Sequence, residues 1–236
     1  MLRFRRSRTK VKVLLARLMG QPREVVLRHK FNLYAESWAR TLEPAHIKIA
    51  QKAWNKMGIS SGDRILELGC GNGWASRVMA GAVGDAGLVV GLDVSDQMIG
   101  RAWELSSQYK NVRFTCSSAE QLRFQDSFFT KAFSLEAFYY FEHQDKVLRE
   151  LLRVVAPQGQ LFLAFCFYKD YPEGLAIRDA LDVPLQIRSA AEYKELLQAT
   201  GWSEAHAEEF VMEYEPGRKP KVHARTLFLS ATKPSA

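Results

Sequence analysis

The stretch that decides the fold is Ile65-Leu66-Glu67-Leu68-Gly69-Cys70-Gly71-Asn72-Gly73-Trp74. A short apolar run ends here in three glycines, each separated from the next by one residue. Glycine adopts backbone conformations that other residues avoid and lets a second molecule approach the main chain closely. A buried strand followed by such a loop predicts a ligand site at the carboxyl end of that strand.

Strand-like and helix-like segments alternate after this loop. The predicted strands are Arg64–Leu68, Leu88–Asp93, Val112–Cys116, Ala132–Leu135 and Gln160–Phe167. The predicted helices are Trp74–Ala82, Ser95–Tyr109, Gln144–Val155 and Ala190–Thr200. Such alternation indicates βαβ units and a parallel sheet. Ser95 is also expected to cap its helix, because a serine hydroxyl accepts hydrogen bonds from the first free backbone N–H groups.

The two ends of the chain differ from this pattern. Segments Phe210–Tyr214 and Arg225–Ala231 flank the turn Glu215-Pro216-Gly217 with no helix between them, which predicts an antiparallel hairpin. Residues 22–57 read as helices. The expected fold class is therefore α/β: a doubly wound, mostly parallel seven-stranded sheet with a C-terminal antiparallel hairpin and an N-terminal helical cap.

Positive charge is concentrated at the N-terminus. The 236-residue chain has a net charge of +7, but residues 1–30 hold ten Lys and Arg against one acid, a charge of +9. The remaining 206 residues therefore carry −2. Proteins that bind the phosphate backbone of nucleic acids usually have a basic binding domain. Because residues 31–236 are nearly neutral, nucleic acid is an unlikely partner.

The basic leader, residues 1–20, leaves three interpretations open. It is a solvated tail, a segment in reversible contact with an anionic membrane or an acidic partner, or an organellar transit segment. The longest apolar run near the middle of the chain, Leu161–Tyr168, is too short for a transmembrane segment, and no secretory signal is recognised. We expect a cytoplasmic protein with reduced cysteines and no metal site, since Cys70, Cys116 and Cys166 lack zinc-ligand spacing.

The acidic residues around the glycine loop indicate what it binds. Asp93 ends the next predicted strand, 20 residues after Gly73, where a carboxylate can accept both hydroxyls of a ribose. The dinucleotide fingerprint fails, however, because its last glycine is replaced by Trp74 or Ser76, and no Lys-Ser/Thr follows as in a P-loop. Glu67 would repel a pyrophosphate but attract an ammonium group. A ligand with an ammonium, a ribose and a base fits these features, and S-adenosylmethionine is such a ligand.

Four motifs resemble those of the class I S-adenosylmethionine-dependent methyltransferases. They are Glu67–Gly73, Val89–Ser95 followed by Met98, Ser118–Leu122, and Asp145–Gly159. Their order and spacing match the family over about Asp63–Phe167, closest to the small-molecule branch that includes the quinone C-methyltransferases. The charge pattern sets apart a basic leader over 1–20, the helical pattern predicts a cap over 21–58, and the resemblance implies a Rossmann-like methyltransferase domain over 59–236. Segment 168–188 is expected to cover the site that binds the molecule to be methylated.

The same resemblance implies the cofactor-binding residues. They are Tyr34, Glu67, Gly69, Cys70, Gly71, Asn72, Gly73, Asp93, Val94, Met98, Ser118, Ala119, Glu120 and Glu136. The glycine loop would contact the methionine moiety, with Glu67 near its ammonium, and Asp93 would bind the ribose. Val94 and Met98 would enclose the adenine, and Ala119 and Glu120 would meet its edge. Two positions depart from the family, since Ser118 and Thr130-Lys131 stand where it often has Asp.

The molecule that receives the methyl group, the methyl acceptor, is expected to bind where the fourth strand ends. Tyr139, Tyr140 and His143 are the candidate catalytic residues, and His143 is either a general base or a surface residue at a helix N-terminus. The aromatic surroundings favour a small aromatic or apolar methyl acceptor, methylated by in-line displacement. Two alternatives stay open: an RNA or protein methyltransferase recruited by the leader, and a cofactor-binding subunit without activity of its own.

Overall fold

The computed structural model describes residues 12–35, 43–178, 185–211 and 225–235, which form helices around one seven-stranded sheet. The strands are β1 (Arg64–Leu68), β2 (Leu88–Asp93), β3 (Val112–Cys116), β4 (Phe129–Leu135), β5 (Val155–Phe165), β6 (Ser203–Val211) and β7 (Arg225–Thr232). The helices are α1 (12–18), α2 (Arg23–Tyr34), α3 (Glu43–Met57), α4 (Trp74–Val83), α5 (Asp96–Leu105), α6 (Gln144–Val154), α7 (Pro172–Arg178) and α8 (Ala190–Ala199). A 3-10 turn spans Phe138–Tyr140.

The strand order is β3-β2-β1-β4-β5-β7-β6. The first five strands are parallel, and β7 pairs antiparallel with both β5 and β6. The predicted fold class, with its C-terminal antiparallel hairpin, is thus confirmed. The chain order reverses between β1 and β4, and ligands of open α/β sheets bind in the crevice at such a switch point.

The sheet is covered on both faces, which explains why its central strands are apolar along their whole length. One apolar cluster joins β-strand residues to α6 and α8, through Leu151 and Leu197 among others. A second cluster joins the sheet to α3, α4 and α5, through residues such as Met79 and Ala102. None of the helices in the described part of the chain combines the length and apolarity needed to cross a membrane.

Local structure agrees with the sequence near the glycine loop and departs from it at the sheet edge. The predicted bounds of β1, β2 and β3 are correct, and the Ser95 hydroxyl accepts a hydrogen bond from Met98 N (3.1 Å), which confirms the helix cap. By contrast, β6 begins at Ser203, seven residues before its predicted start. The predicted turn Glu215-Pro216-Gly217 lies outside the described residues.

A buried ion pair ties the start of β1 to the start of β4. The ammonium of Lys131 lies 3.1 Å from the carboxylate of Asp63, and these side chains are only 12% and 10% exposed. Thr130 Oγ1 donates to the same carboxylate over 2.7 Å. Burial alone would raise the pKa of Asp63, but hydrogen bonds from Ser60, Thr130 and Lys131 and the charge of Lys131 hold that pKa below its ordinary value. The start of β4, where the family often has an Asp, is thus bound to an acid that lies immediately before β1.

Replacing Lys131 by methionine should lower the free energy of unfolding by about 3 kcal/mol, because it leaves a buried carboxylate without its cation. Urea denaturation monitored by circular dichroism measures this loss. Arg101→Met is the control, since the Arg101–Glu104 pair (2.7 Å) has side chains 51% and 66% exposed. It should change the same quantity by less than about 0.5 kcal/mol. Equal losses in the two variants would contradict the role assigned to the buried pair.

Candidate active site

The loop after β1 turns sharply at the switch point of the sheet. Gly69, Gly71 and Gly73 all have positive φ (69°, 54° and 74°), a conformation that glycine adopts at little cost. The amides of Gly69 and Cys70 both donate to Leu92 O, over 2.7 and 3.0 Å, and so hold the loop against the end of β2. The conformation of the loop backbone is therefore fixed by hydrogen bonds within the protein.

The three glycines are required for different reasons. A Cβ on Gly69 would collide with the Cβ of Ala137, and one on Gly73 would lie 2.5 Å from the ring of Phe114. At Gly71 no described atom lies within 4 Å of that position. Gly69 and Gly73 therefore allow close packing inside the protein. Gly71, which lines the cavity, is the one of the three with open space at the position of an added Cβ.

Asp93 fixes this loop from the end of β2. Its Oδ2 accepts a hydrogen bond from Gly71 N and its Oδ1 accepts one from Ser95 N, each over 2.9 Å. The residue is 9% exposed. Burial raises the pKa of Asp93, and the hydrogen bonds from the backbone N–H groups of Ser95, Gly71 and Val94 counter part of that rise. Each carboxylate oxygen has a further lone pair, so Asp93 can still accept from a ligand hydroxyl.

Glu67 is a second buried acid beside the loop. It is 3% exposed and accepts a hydrogen bond from the hydroxyl of Ser76 in α4. The pKa of Glu67 is raised to about 8: burial is the largest cause and the charge of Asp93 adds to it, while the Ser76 hydrogen bond and the charge of Arg77 partly oppose the rise. A cation bound nearby would favour the ionised form of Glu67.

Cys70 and Asn72 shape the loop between the glycines. The sulfur of Cys70 lies against Gly91, where an added Cβ would come within 2.8 Å of it. Burial raises the pKa of this thiol. Asn72 Oδ1 accepts from the backbone N–H of Trp74, the first residue of α4, over 3.2 Å. Both residues line the cavity, and their contacts here are with the protein itself.

The loop after β3 is held in place by Arg153 of α6. Its guanidinium donates to Leu122 O (2.7 Å) and Phe124 O (2.8 Å), and pairs with Asp126 and Glu150 at 2.8 Å each. These two acids raise the pKa of Arg153 above its ordinary value. Arg153 thus fixes the part of the loop that follows residues 118–120. Sequence reasoning missed this residue.

Within that loop, Ser118 Oγ accepts from Glu120 N over 3.2 Å, and Glu120 Oε1 accepts from His143 N over 3.3 Å. His143 is an exposed residue immediately before α6, and its side chain makes no capping hydrogen bond. Its position agrees with the expected helix terminus, and its role as a general base stays a prediction.

Glu136 follows β4 in a left-handed conformation (φ 54°). Its Oε2 accepts hydrogen bonds from Tyr139 Oη (3.0 Å) and from Cys166 Sγ (3.1 Å). Burial raises the pKa of both Tyr139 and Tyr140 well above the ordinary tyrosine value, so these phenols stay protonated near neutral pH. Tyr139 and Tyr140 therefore act as neutral donors, and neither is suited to accept a proton as a phenolate.

Helix α2 lies across the cofactor half of the site. Arg28 Nε donates to Val94 O over 3.0 Å, Asn32 Nδ2 donates to Asp96 over 2.8 Å, and Asn32 also receives the hydroxyl hydrogen of Ser95. Phe31 meets the ring of Tyr140 edge-on, with 5.1 Å between ring centroids. The N-terminal helices thus form a wall of the site.

The elements above enclose one cavity at the carboxyl ends of β1, β2 and β4. The predicted site residues that line it are Glu67, Gly69, Cys70, Gly71, Asn72, Asp93, Val94, Met98, Ser118, Ala119, Glu120, Glu136, Tyr140 and His143. Lining residues that were not predicted as site residues include Pro22, Arg23, Glu24, Leu27, Phe31, His46, Trp74 and Glu142. A signal for part of this set existed, since Arg23, Leu27 and Phe31 are spaced four residues apart on one face of a helix.

Three predicted site residues do not line the cavity. Gly73 packs beneath Phe114, Tyr139 lies behind Glu136, and Tyr34 ends α2 outside the lining. The described residues of 168–188 do not line it either. Gln186 N instead donates to Tyr139 O over 2.8 Å, which places this part of the segment behind the aromatic wall. Residues 179–184 lie outside the description, and the covering role of the segment stays a prediction.

The segment that carries the glycine loop matches a known protein family. The family described as methyltransferase domain matches residues 66–163, from within β1 to within β5. Residues 66–163 therefore form a methyltransferase domain, and the resemblance to the class I S-adenosylmethionine-dependent methyltransferases is confirmed. S-adenosylmethionine is accordingly its cofactor.

Two named methyltransferases are similar to this chain in sequence. The 27-O-demethylrifamycin SV methyltransferase of Amycolatopsis mediterranei is 28% identical over 191 residues, 75% of this chain and 69% of that protein. The demethylmenaquinone methyltransferase of Bacillus cereus is 34% identical over 137 residues, 54% of this chain and 55% of that protein. The match therefore spans only about half of the Bacillus relative.

A solved structure resembles this methyltransferase over most of its length. The complex between the Haloferax volcanii Trm112 methyltransferase activator and its partner methyltransferase contains a chain that superposes with a TM-score of 0.77. The two chains are 24% identical, and the superposition covers 89% of this chain and 98% of that one. At this identity the likeness shows the fold.

Substituting Gly71 by valine should weaken binding of S-adenosylmethionine by more than about tenfold, because the side chain would occupy the open side of the loop. Gly58→Val is a matched control. Its φ is +53° against +54° at Gly71, and neither site has an atom within 4 Å of an added Cβ. Both variants should lose similar stability in thermal unfolding, and only Gly71→Val should lose affinity in calorimetric titration. Normal binding by Gly71→Val would refute the close approach of the cofactor.

Binding of S-adenosylmethionine should release a proton below about pH 8. Glu67, whose pKa is about 8 in the free protein, holds a proton there and loses it when the cofactor ammonium arrives. Affinity should therefore rise as pH is raised from about 6 toward 8. Calorimetry in two buffers of different ionisation enthalpy counts the proton. Glu67→Gln should show neither the release nor the pH dependence, and a wild-type protein without proton release at pH 6.5 would contradict this assignment.

Proposed function

We propose that this methyltransferase transfers the methyl group of S-adenosylmethionine to a small aromatic or apolar molecule. The observation that carries the proposal is the wall of Leu27, Phe31, Tyr140 and Phe141 that encloses the cavity beside Glu136. Most of these side chains are aromatic, which suits stacking against a flat acceptor. A cavity with apolar walls and few polar groups is typical of small-molecule sites.

In the proposed complex the cofactor lies along the glycine loop. Its aminoacyl end approaches the main chain at Gly71, with the ammonium near Glu67. Asp93 accepts hydrogen bonds from the ribose hydroxyls. These hydrogen bonds are stronger when the Asp93 carboxylate is ionised. The adenine lies between Val94 and Met98, both of which line the cavity. Its edge meets residues 118–120.

The methyl group then moves in a single in-line displacement. A lone pair or carbanion of the acceptor forms the new bond to the methyl carbon, and the carbon–sulfur bond breaks with its electron pair left on sulfur. The protein's main contribution is to align the two reactants and exclude water. Glu136, held by Tyr139 and Cys166, is the acidic group at the junction of the cofactor and acceptor sides. If the acceptor must lose a proton, Glu136 and His143 are the lining residues suited to take it.

The relatives support the choice of a small acceptor. Demethylrifamycin and demethylmenaquinone, the compounds named for two of them, are both small molecules. The charge of −2 on residues 31–236 also disfavours a nucleic-acid substrate. The proposed cytoplasmic location rests on the sequence alone.

One observation favours a second candidate, a methyltransferase that works together with a protein activator. The Haloferax neighbour is described in complex with such an activator. In this chain β3 ends the sheet, and among the described residues it pairs with a strand on one side only. The half-exposed Trp103 lies next to it against Phe114, with 5.5 Å between ring centroids.

Incubating the full chain with methyl-labelled S-adenosylmethionine and a panel of phenols, naphthols and reduced quinones should yield a product heavier by one methyl group. Mass spectrometry identifies the product, and parallel samples with transfer RNA or protein extract should stay unlabelled. Gly71→Val should abolish labelling, whereas Gly58→Val should retain it. Tight cofactor binding with no product on any small molecule would overturn the proposal and favour the activator-dependent candidate.

A further inference from the structure

Helix α1 presents an apolar face that no described residue covers. Its large apolar side chains Leu14, Leu15, Leu18 and Met19 are 56%, 49%, 74% and 70% exposed. At 100° per residue these positions fall within an arc of about 140°. Ala16, by contrast, is 5% exposed and lies on the opposite side of the helix. One face of the helix therefore packs against the protein, and the opposite face is exposed to solvent.

The end of α1 is fixed to the rim of the active-site cavity. Gly20 N donates to Arg17 O over 3.0 Å and Gln21 N donates to Ala16 O over 2.9 Å, the pair of bonds that makes a Schellman cap. The next residues, Pro22 and Arg23, line the cavity. The open face of α1 is thus separated from the cavity rim by two residues of chain.

The segment of sequence that contains this face carries charge of one sign. Residues 1–20 contain seven Lys and Arg and no acid, whereas residues 31–236 carry −2. Apolar side chains surrounded by basic ones are the pattern of a helix that lies in the interface of an anionic bilayer. A nucleic acid would pair with the charges but leave the four apolar side chains in water.

We propose that α1 docks this methyltransferase onto an anionic lipid surface, with Leu14, Leu15, Leu18 and Met19 inserted among the acyl chains. The basic residues of the leader pair with lipid phosphates. The cavity rim at Pro22 and Arg23 then lies beside the lipid surface, where an apolar acceptor is concentrated. Docking itself rests on α1 and the leader, and the delivery of an acceptor rests on the proposed function.

Co-sedimentation of the full chain with vesicles tests the docking. The chain should pellet with phosphatidylcholine vesicles that contain phosphatidylglycerol and stay in solution with phosphatidylcholine alone. Raising the salt from about 0.1 M to about 0.5 M should weaken the interaction, because screening reduces the attraction to lipid phosphates. The double variant Leu15→Glu/Leu18→Glu should lose at least about tenfold in partitioning, since its charges oppose insertion.

The matched control is Val78→Glu/Val211→Glu, which places the same charges on valines 50% and 58% exposed in α4 and β6. It should partition as the wild type does. Both double variants should keep normal affinity for S-adenosylmethionine and normal turnover of a water-soluble acceptor, so a failure of docking is distinguishable from a failure of the proposed function. Equal loss of partitioning in both variants, equal pelleting with neutral vesicles, or preferential binding to RNA that survives Leu15→Glu/Leu18→Glu would overturn the proposal.

Discussion

The hydrogen bond from Gly71 N to Asp93 Oδ2 is the constraint on which the site depends. It joins the loop after β1 to the end of β2, the two strand ends beside the switch point. Gly69 and Gly73 hold the same loop from either side, because Ala137 and Phe114 occupy the space where their side chains would be. The main chain therefore has its binding shape before a ligand arrives, which lowers the ordering cost of binding.

This arrangement also brings two acids together inside the protein. Burial raises the pKa of both Glu67 and Asp93, and the Asp93 charge raises that of Glu67 further. Such a site disfavours an anionic ligand and favours one that carries a cation, since a nearby positive charge stabilises both carboxylates. The sequence argument against a pyrophosphate, made from Glu67 alone, thus has a structural counterpart that involves Asp93 as well.

How much of this could be predicted depended on where the determining contacts lie. The bounds of β1, β2 and β3 were readable because each is an apolar run with clear breaks beside it. Most of the predicted site residues line one cavity because they fall in short motifs at the ends of strands, and their roles in binding the cofactor stay predictions. β6 was placed late because an edge strand carrying Glu208 and Glu209 resembles a loop in sequence. Arg153 was missed because its contacts are made some 30 residues away along the chain, and no local pattern records them. The separate roles of the three glycines required the positions of Ala137 and Phe114.

The cavity is built from two parts of the chain. The matched methyltransferase domain, residues 66–163, supplies the loop, Asp93 and Glu136, whereas Leu27 and Phe31 come from a helix that precedes it. That helix is fastened to the cofactor half by Arg28 on Val94 O, next to the proposed adenine position. Filling the adenine position would therefore steady the helix that bounds the acceptor. Two of the four residues of the proposed acceptor wall, Leu27 and Phe31, lie outside the matched domain, whereas Tyr140 and Phe141 lie within it. The shared domain therefore accounts for the methyl donor, and the proposed choice of acceptor depends in part on the N-terminal helices of this particular chain.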